Sequence, residues 1–182
     1  ESGTAALQLF RDLARVNASR ARQMEVESTV DPLTGLFNRR GFDDIFARMV
    51  ESSQRSERPL GLLYMDSDSL KSINDRSGHE AGDRFIVDLA SILRNVARRS
   101  DFIFRWGADE FAVVLDSGNA ARAATLAERL RKAVAERTEG TMSIGIYWGV
   151  PESADEAVRI ADTAMYDAKR RGKDRVVVNL QE

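Results

Sequence analysis

Hydrophobic positions in this chain fall into two kinds of run. Leu60–Met65, Phe102–Trp106, Phe111–Leu115, Thr141–Trp148 and Arg175–Val178 are short, largely apolar runs, all but the first rich in β-branched or aromatic residues, the pattern of buried strands. Between them the apolar residues recur every three or four positions, which predicts helices over residues 4–29, 40–54, 84–98, 119–137 and Ala154–Arg170. In residues 40–54 the apolar face is Phe42, Ile45, Phe46 and Met49. In 84–98 it is Phe85, Ile86, Leu89, Ile92, Leu93 and Val96. Pro32 and Gly35 make Asp31–Arg40 a compact loop, and Ser69–Asp83 reads as polar and irregular. The runs Phe102–Trp106 and Phe111–Leu115 flank Gly107-Ala108-Asp109-Glu110, a hairpin signal. Strands and helices interleaved around one hairpin predict an α+β fold, a mixed sheet with helices packed on it.

The first helix has a heptad seam of Leu7, Phe10, Ala14, Asn17, Ala21, Met24 and Ser28, strong at its start and weak towards its end. It is either an isolated amphipathic helix or a dimerising connector from an upstream module. The connector reading is favoured, and residues 1–30 are taken as a candidate coiled coil ahead of a domain over 31–182. The chain starts at Glu1 rather than Met, so it is expected to be a fragment whose upstream sensor module is missing. Its 182 residues suit one domain plus an appendage, and 43% hydrophobic content supplies one real core. A net charge of −2 offers no basic field for a nucleic acid polymer. Without cysteine there are no disulfides or thiolate metal sites. No apolar run approaches the ~18 residues of a membrane span.

The chemistry starts from three acids. Asp66 follows the first strand, and Asp109 and Glu110 lie at the hairpin tip; if those strands are neighbours, the carboxylates converge. Adjacent acids repel, and a cation would relieve them, although a solvated acidic turn is the competing reading. Oxygen ligands without His or Cys suit Mg²⁺ or Mn²⁺, held by one or two carboxylates and substrate phosphates. Lys71, Lys169 and Lys173 are candidate phosphate partners. Asp66-Ser67-Asp68 fails the EF-hand spacing, and the chain has no G-x-x-x-x-G-K-[S/T] loop. The residues alone reach a metal-dependent nucleotide site.

Asp31–Arg40 with Gly41-Phe42, Asp66 through Asp83, the Gly107–Phe111 tip, Thr141–Ile146 and Ala161–Lys169 together resemble a GGDEF domain, the diguanylate cyclase family of bacterial signalling. The resemblance runs from about Asp31 to Val178. It implies a sheet of about five strands wrapped by helices, related to nucleotidyl cyclase and polymerase palm folds. It further implies condensation of two GTP into cyclic di-GMP and two pyrophosphates by a homodimer, with Mg²⁺ or Mn²⁺, in the bacterial cytoplasm. Attachment to a membrane or sensor would come through the missing N-terminal part.

Residue by residue, the family's pattern makes Asp66, Asp109 and the Ser67 carbonyl metal ligands, with Glu110 a further ligand or a helper in activating the 3′-hydroxyl. Asn74 and Asp83 take the positions that read guanine, whose adjacent donors suit a carboxylate. Gly107 and Ala108 pass close to the nucleotide, and Lys71, Lys169 and Lys173 lie on or near phosphate-contacting positions. Arg98 and Asp101 resemble the family's inhibitory R-x-x-D site for cyclic di-GMP, with Arg105 a candidate contributor. The plainer reading of Arg98 and Arg99 is a helix end favoured by the macrodipole. Asp68 and Asp75 are open between loop caps and solvated acids, His79 reads as structural, and Trp106, Tyr147 and Trp148 as core or rim packing.

Two positions depart from the pattern. Ala108 replaces the signature's second glycine, which would strain the turn if its φ must be positive. Lys173 replaces a usual Arg, keeping the charge and losing the planar fork. The alternative function is therefore a catalytically silent module that binds GTP or cyclic di-GMP; an adenine-containing product is disfavoured by Asp83.

Overall fold

A computed structural model describes residues 29–116 and 118–180. The expected connector helix lies, but for its last residues, outside them. Helix α1 (Arg39–Ser56) starts at Asn38, whose side chain accepts the Gly41 N–H at 3.0 Å, and ends at Glu57 in the left-handed region. Strand β1 (Leu60–Ser67) follows, then helices α2 (Leu70–Ser77) and α3 (His79–Val96), hairpin strands β2 (Phe102–Arg105) and β3 (Glu110–Leu115), and helix α4 (Ala120–Arg137). Strand β4 (Met142–Gly149), helix α5 (Ala154–Arg170) and strand β5 (Val176–Leu180) complete the chain. Ser153 caps α5 by accepting the Glu156 N–H at 3.1 Å, with Asp155 and Glu156 in the dipole-favoured first turn.

The five strands lie in the order β2-β3-β1-β4-β5, antiparallel except for the parallel β4–β5 pair. The mixed sheet and its packed helices are those the sequence predicts. One face carries Leu63, Met65, Phe111, Val113, Ile144 and Ile146 against α3 and α4. The other carries Leu62, Tyr64, Ala112, Val114 and Tyr147 against α1 and α5. Side chains alternate faces along a strand, so Asp66 and its cross-strand partner Glu110 belong to the α1/α5 face. Helix α5 lies close on β4 at Gly145, where a Cβ would come within 2.0 Å of the Ala161 carbonyl oxygen.

Two boundaries differ from the sequence reading. Asp66 and Ser67 are the last paired residues of β1, not residues beyond it. The stretch Ser69–Asp83 is not irregular; it is α2 and the start of α3, separated at Gly78 with φ +82°. Only Ile73 of α2 is buried, so the helix lacks the apolar stripe that announces one.

Candidate active site

The α1/α5 face ends in a cluster of charge. Lys169 reaches from the last turn of α5 to within 2.5 Å of Asp66 Oδ1. That oxygen is buried, and the Lys169 ammonium stands directly against it. The Asp66 carboxyl is pushed up to about 6, chiefly by burial; Lys169 opposes this, and the charges of Asp109 and Glu110 reinforce it. The hairpin turn is pinned to the end of β1 by the Ser67 N–H, which donates to the Asp109 carbonyl at 3.0 Å.

Glu110 is held from below. The buried Tyr64 hydroxyl donates to its Oε1 at 3.1 Å, and burial beside that carboxylate raises the phenol well above its ordinary value. Trp106 packs edge-on against Phe42 and Tyr64, with the Arg39 guanidinium 4.9 Å above its ring. A cleft of about 680 Å³ opens here, lined by Arg39, Phe42, Tyr64, Trp106, Glu110 and Asp162 among others. Trp106 is thus rim packing and Tyr147 core, as expected. Tyr64 and Arg39 were not legible as site residues, because a strand tyrosine and a helix-start arginine carry no distinguishing pattern.

Among the described residues no three His, Cys, Asp or Glu side chains form a metal cage. Mg²⁺ does not require one, since it usually takes one or two carboxylates plus substrate phosphates. The donor set fits such an ion: a buried Asp66 carboxylate whose charge is opposed by two further acids, which a cation would neutralise.

The remaining residues occupy separate regions of the fold. Asn74 on α2 buries its Oδ1 without a hydrogen-bond partner, against Gly82; a Cβ at Gly82 would fall 1.9 Å from that oxygen. Asp83 follows on the same turn of α3 and is exposed, as is Lys71. Lys173 is exposed in the turn after α5 with φ +61°. Asp101 accepts the Arg98 backbone N–H at 2.9 Å and the Arg122 guanidinium at 2.6 Å, and its side chain is almost wholly buried. A small cavity of about 150 Å³ beside it gathers Arg98, Arg122 and Arg129. The last two lie seven residues apart on one face of α4, and nothing in that Ala-rich stretch singles them out.

Arg105 is placed elsewhere. Its guanidinium pairs with both Asp31 carboxylate oxygens at 3.1 Å and donates to the carbonyls of Gly107 at 3.1 Å and Ala108 at 2.8 Å. It braces the hairpin turn against the loop before α1. The Arg105 contacts hold Asp31 below the usual carboxylate range along with those from Thr34, against the opposing effect of burial, which is the largest. Ala108 is not in the left-handed region, and the strain anticipated for it is absent.

An antiparallel-centred sheet of five strands that presents two acids and a lysine at one end is the architecture the resemblance implied. The chain belongs to the GGDEF family: the model described as "Diguanylate cyclase, GGDEF domain" matches residues 28–175. Among curated relatives, Diguanylate cyclase DosC of Escherichia coli (strain K12) is 37% identical over 162 residues, 82% of this chain and 35% of that protein. Bifunctional diguanylate cyclase/cyclic di-GMP phosphodiesterase MucR of Pseudomonas aeruginosa is 34% identical over 175 residues, 91% of this chain and 25% of that protein. The chain thus spans about a third or less of these relatives' lengths. Among solved structures, the coiled coil and GGDEF domain of DgcB from Caulobacter crescentus in complex with c-di-GMP superposes with a TM-score of 0.90 at 29% identity. It covers 98% of this chain and 100% of that one.

Proposed function

We propose that this domain condenses two GTP molecules into cyclic di-GMP and two pyrophosphates, working as a two-fold pair. The observation that carries the reading is the meeting of Asp66, Glu110 and Lys169 at one end of the sheet, with Asp109 beside them. One domain offers one such site, so each bound GTP must present its 3′-hydroxyl to the α-phosphorus of the other. The new bond joins that 3′-oxygen to phosphorus, the bond to the β-phosphate oxygen breaks, pyrophosphate leaves, and the hydroxyl proton is lost. Asp66, the Ser67 carbonyl and Asp109 would hold Mg²⁺ or Mn²⁺, with Glu110 available to the same ion or to the hydroxyl proton. When bound, the ion neutralises triphosphate charge and polarises the reacting phosphorus. Tyr64 orients Glu110 through its hydrogen bond, and Lys169 and Lys173, with Lys71, balance the phosphates. Asn74 and Asp83 accept from the guanine edge, a role supported by the open Asn74 Oδ1.

Residues 31–182 form the catalytic unit in this reading and 1–30 the connector that brings two units together, on the cytoplasmic side where GTP is available. No described helix is long and apolar enough to cross a membrane. The decisive experiment incubates the purified protein with GTP, ATP and Mg²⁺ at several protein concentrations. Cyclic di-GMP with a rate rising faster than linearly in protein is expected. No cyclic dinucleotide at any concentration would sink the enzyme reading, and GTP binding without turnover would favour a silent module. Asp83→Ser is expected to reduce the preference for GTP over ATP by roughly tenfold or more, since a carboxylate reading two donors is replaced by one hydroxyl. An unchanged preference would remove Asp83 from base recognition.

Product inhibition is proposed at Arg98 and Asp101, supported by the three arginines that line the cavity beside the buried Asp101. Arg98→Ala is expected to raise the cyclic di-GMP concentration giving half-inhibition by about tenfold or more, the loss of a charge-assisted contact. Progress curves with added product measure this, and unaltered inhibition would take Arg98 out of the site.

A further inference from the structure

The Asp68 carboxylate accepts three hydrogen bonds from two other parts of the fold, and the catalytic reading uses none of them. Its Oδ1 accepts the Ser143 hydroxyl at 2.7 Å, and its Oδ2 accepts both the Thr141 hydroxyl at 2.8 Å and the Asp174 backbone N–H at 3.1 Å. Its own N–H donates to the Thr141 carbonyl at 3.0 Å. One side chain on the loop after β1 therefore ties the start of β4 to the turn between α5 and β5. It is neither a simple loop cap nor a solvated acid.

That turn carries Lys173, and its backbone is unusual. Lys173 has φ +61° and Asp174 φ +43°, two consecutive non-glycine residues in the left-handed region, which L-residues occupy only where their surroundings hold them. Lys173 N–H donates to the Ala168 carbonyl at 3.1 Å, and Arg175 Nε donates to the Lys173 carbonyl at 3.0 Å. Arg131 on α4 pairs with the Asp174 carboxylate at 2.7 Å. Asp68 fixes the remaining Asp174 group, the backbone N–H, from two residues beyond the acid that faces Lys169.

We infer that Asp68 is a positioning residue: its bond to the Asp174 N–H holds the left-handed turn and so presents Lys173 to the phosphates of the bound nucleotide. The inference rests on the reading of Lys173 as a phosphate contact. In this arrangement one stretch at the end of β1, Asp66–Asp68, sets both the acid paired with Lys169 and the frame of the second lysine. The two cations then keep their spacing across a turn in which Gly172, Lys173 and Asp174 all have positive φ.

A double-mutant cycle tests this, read as affinity for 3′-deoxy-GTP, which lacks the attacking hydroxyl, by calorimetry with Mg²⁺. Asp68→Asn and Lys173→Ala are each expected to weaken binding about tenfold, the size of one charge-assisted contact. The double variant is expected to bind within about twofold of Lys173→Ala alone, because residues acting as one unit are not additive. Losses that multiply, or Asp68→Asn without effect, would overturn the positioning role while leaving Lys173 as a contact. Lys173→Ala without effect, or no binding by the unmodified protein, would overturn it by removing the reading beneath it. If Asp68→Asn does not fold, Arg131→Ala replaces it in the same cycle, since Arg131 clamps the same turn from its other side. Multiplying losses there also overturn the proposal.

Discussion

Asp66→Asn is expected to abolish cyclic di-GMP formation, by about a thousandfold or more, in a protein that remains folded. The amide has the shape of the carboxylate but not its charge, so it neither balances Lys169 nor competes for a divalent ion. The same substitution is expected to leave stability unchanged or improved at pH 7 without metal. In the native protein the Asp66 carboxyl is pushed up to about 6 from its ordinary 3.8, mainly by burial. The native state therefore binds more protons than the unfolded chain between these values, and stability of the metal-free protein falls as pH rises through that window. The loss is of the order of 1–2 kcal/mol after allowing for solvent screening. Asp66→Asn should flatten this slope, and Mg²⁺ should stabilise the parent protein more than the variant. Melting curves in chelator and in Mg²⁺ between pH 4 and 8, beside rate assays, measure both effects. Activity within tenfold of the parent would remove Asp66 from the chemistry.

The two small residues of the hairpin tip should respond in opposite ways. A Cβ at Gly107 would fall 2.3 Å from Glu110 Oε2 and 3.3 Å from its Cδ. The far end of a side chain can yield, so Gly107→Ala should fold; the yielding group is the carboxylate that Tyr64 orients. Displacing it by about an ångström is expected to lower kcat by roughly a hundredfold, with little change in melting temperature. Ala108, by contrast, is exposed and outside the left-handed region, and its carbonyl is already held by Arg105 at 2.8 Å. Ala108→Gly is expected to change kcat by less than about threefold, because it relieves no backbone strain. A tenfold gain from Ala108→Gly would mean that its methyl group obstructs the nucleotide. Full activity in Gly107→Ala would mean that Glu110 need not stand where it does. The departure from the signature motif is therefore expected to be the tolerant position, and the retained glycine the sensitive one.

Much of this was legible beforehand because it is local. Helix α5 occupies the residues expected for it, Ala154–Arg170, because its apolar stripe is regular along its whole length. The strands declared themselves through continuous apolar runs, and the order of motifs led to the family. The polar helix α2 did not, because its one buried residue, Ile73, leaves no periodicity to read. Nor did the partners of Arg105, which the sequence reading set beside Arg98 and Asp101 and which the fold uses to clamp Asp31 and the hairpin turn.

The sequence by itself determined which residue types were available: acids at the end of one strand and at a hairpin tip, a lysine in the last turn of a helix and another just after it, an Arg and an Asp before the hairpin. It also determined that hard oxygen donors would be offered without thiol or imidazole. Only the tertiary structure decided who stands beside whom. Pairing β1 with β3 in the register that sets Asp66 opposite Glu110 puts both on the α1/α5 face, and the close approach of α5 at Gly145 brings Lys169 to Asp66. It likewise gave Asp68 its partners on β4 and beyond α5, and Asp101 its partner on α4. The reason is physical. Periodicity and turn chemistry act over a few residues, whereas a carboxylate's partner is chosen by strand register and helix packing, which join positions that can be a hundred residues apart.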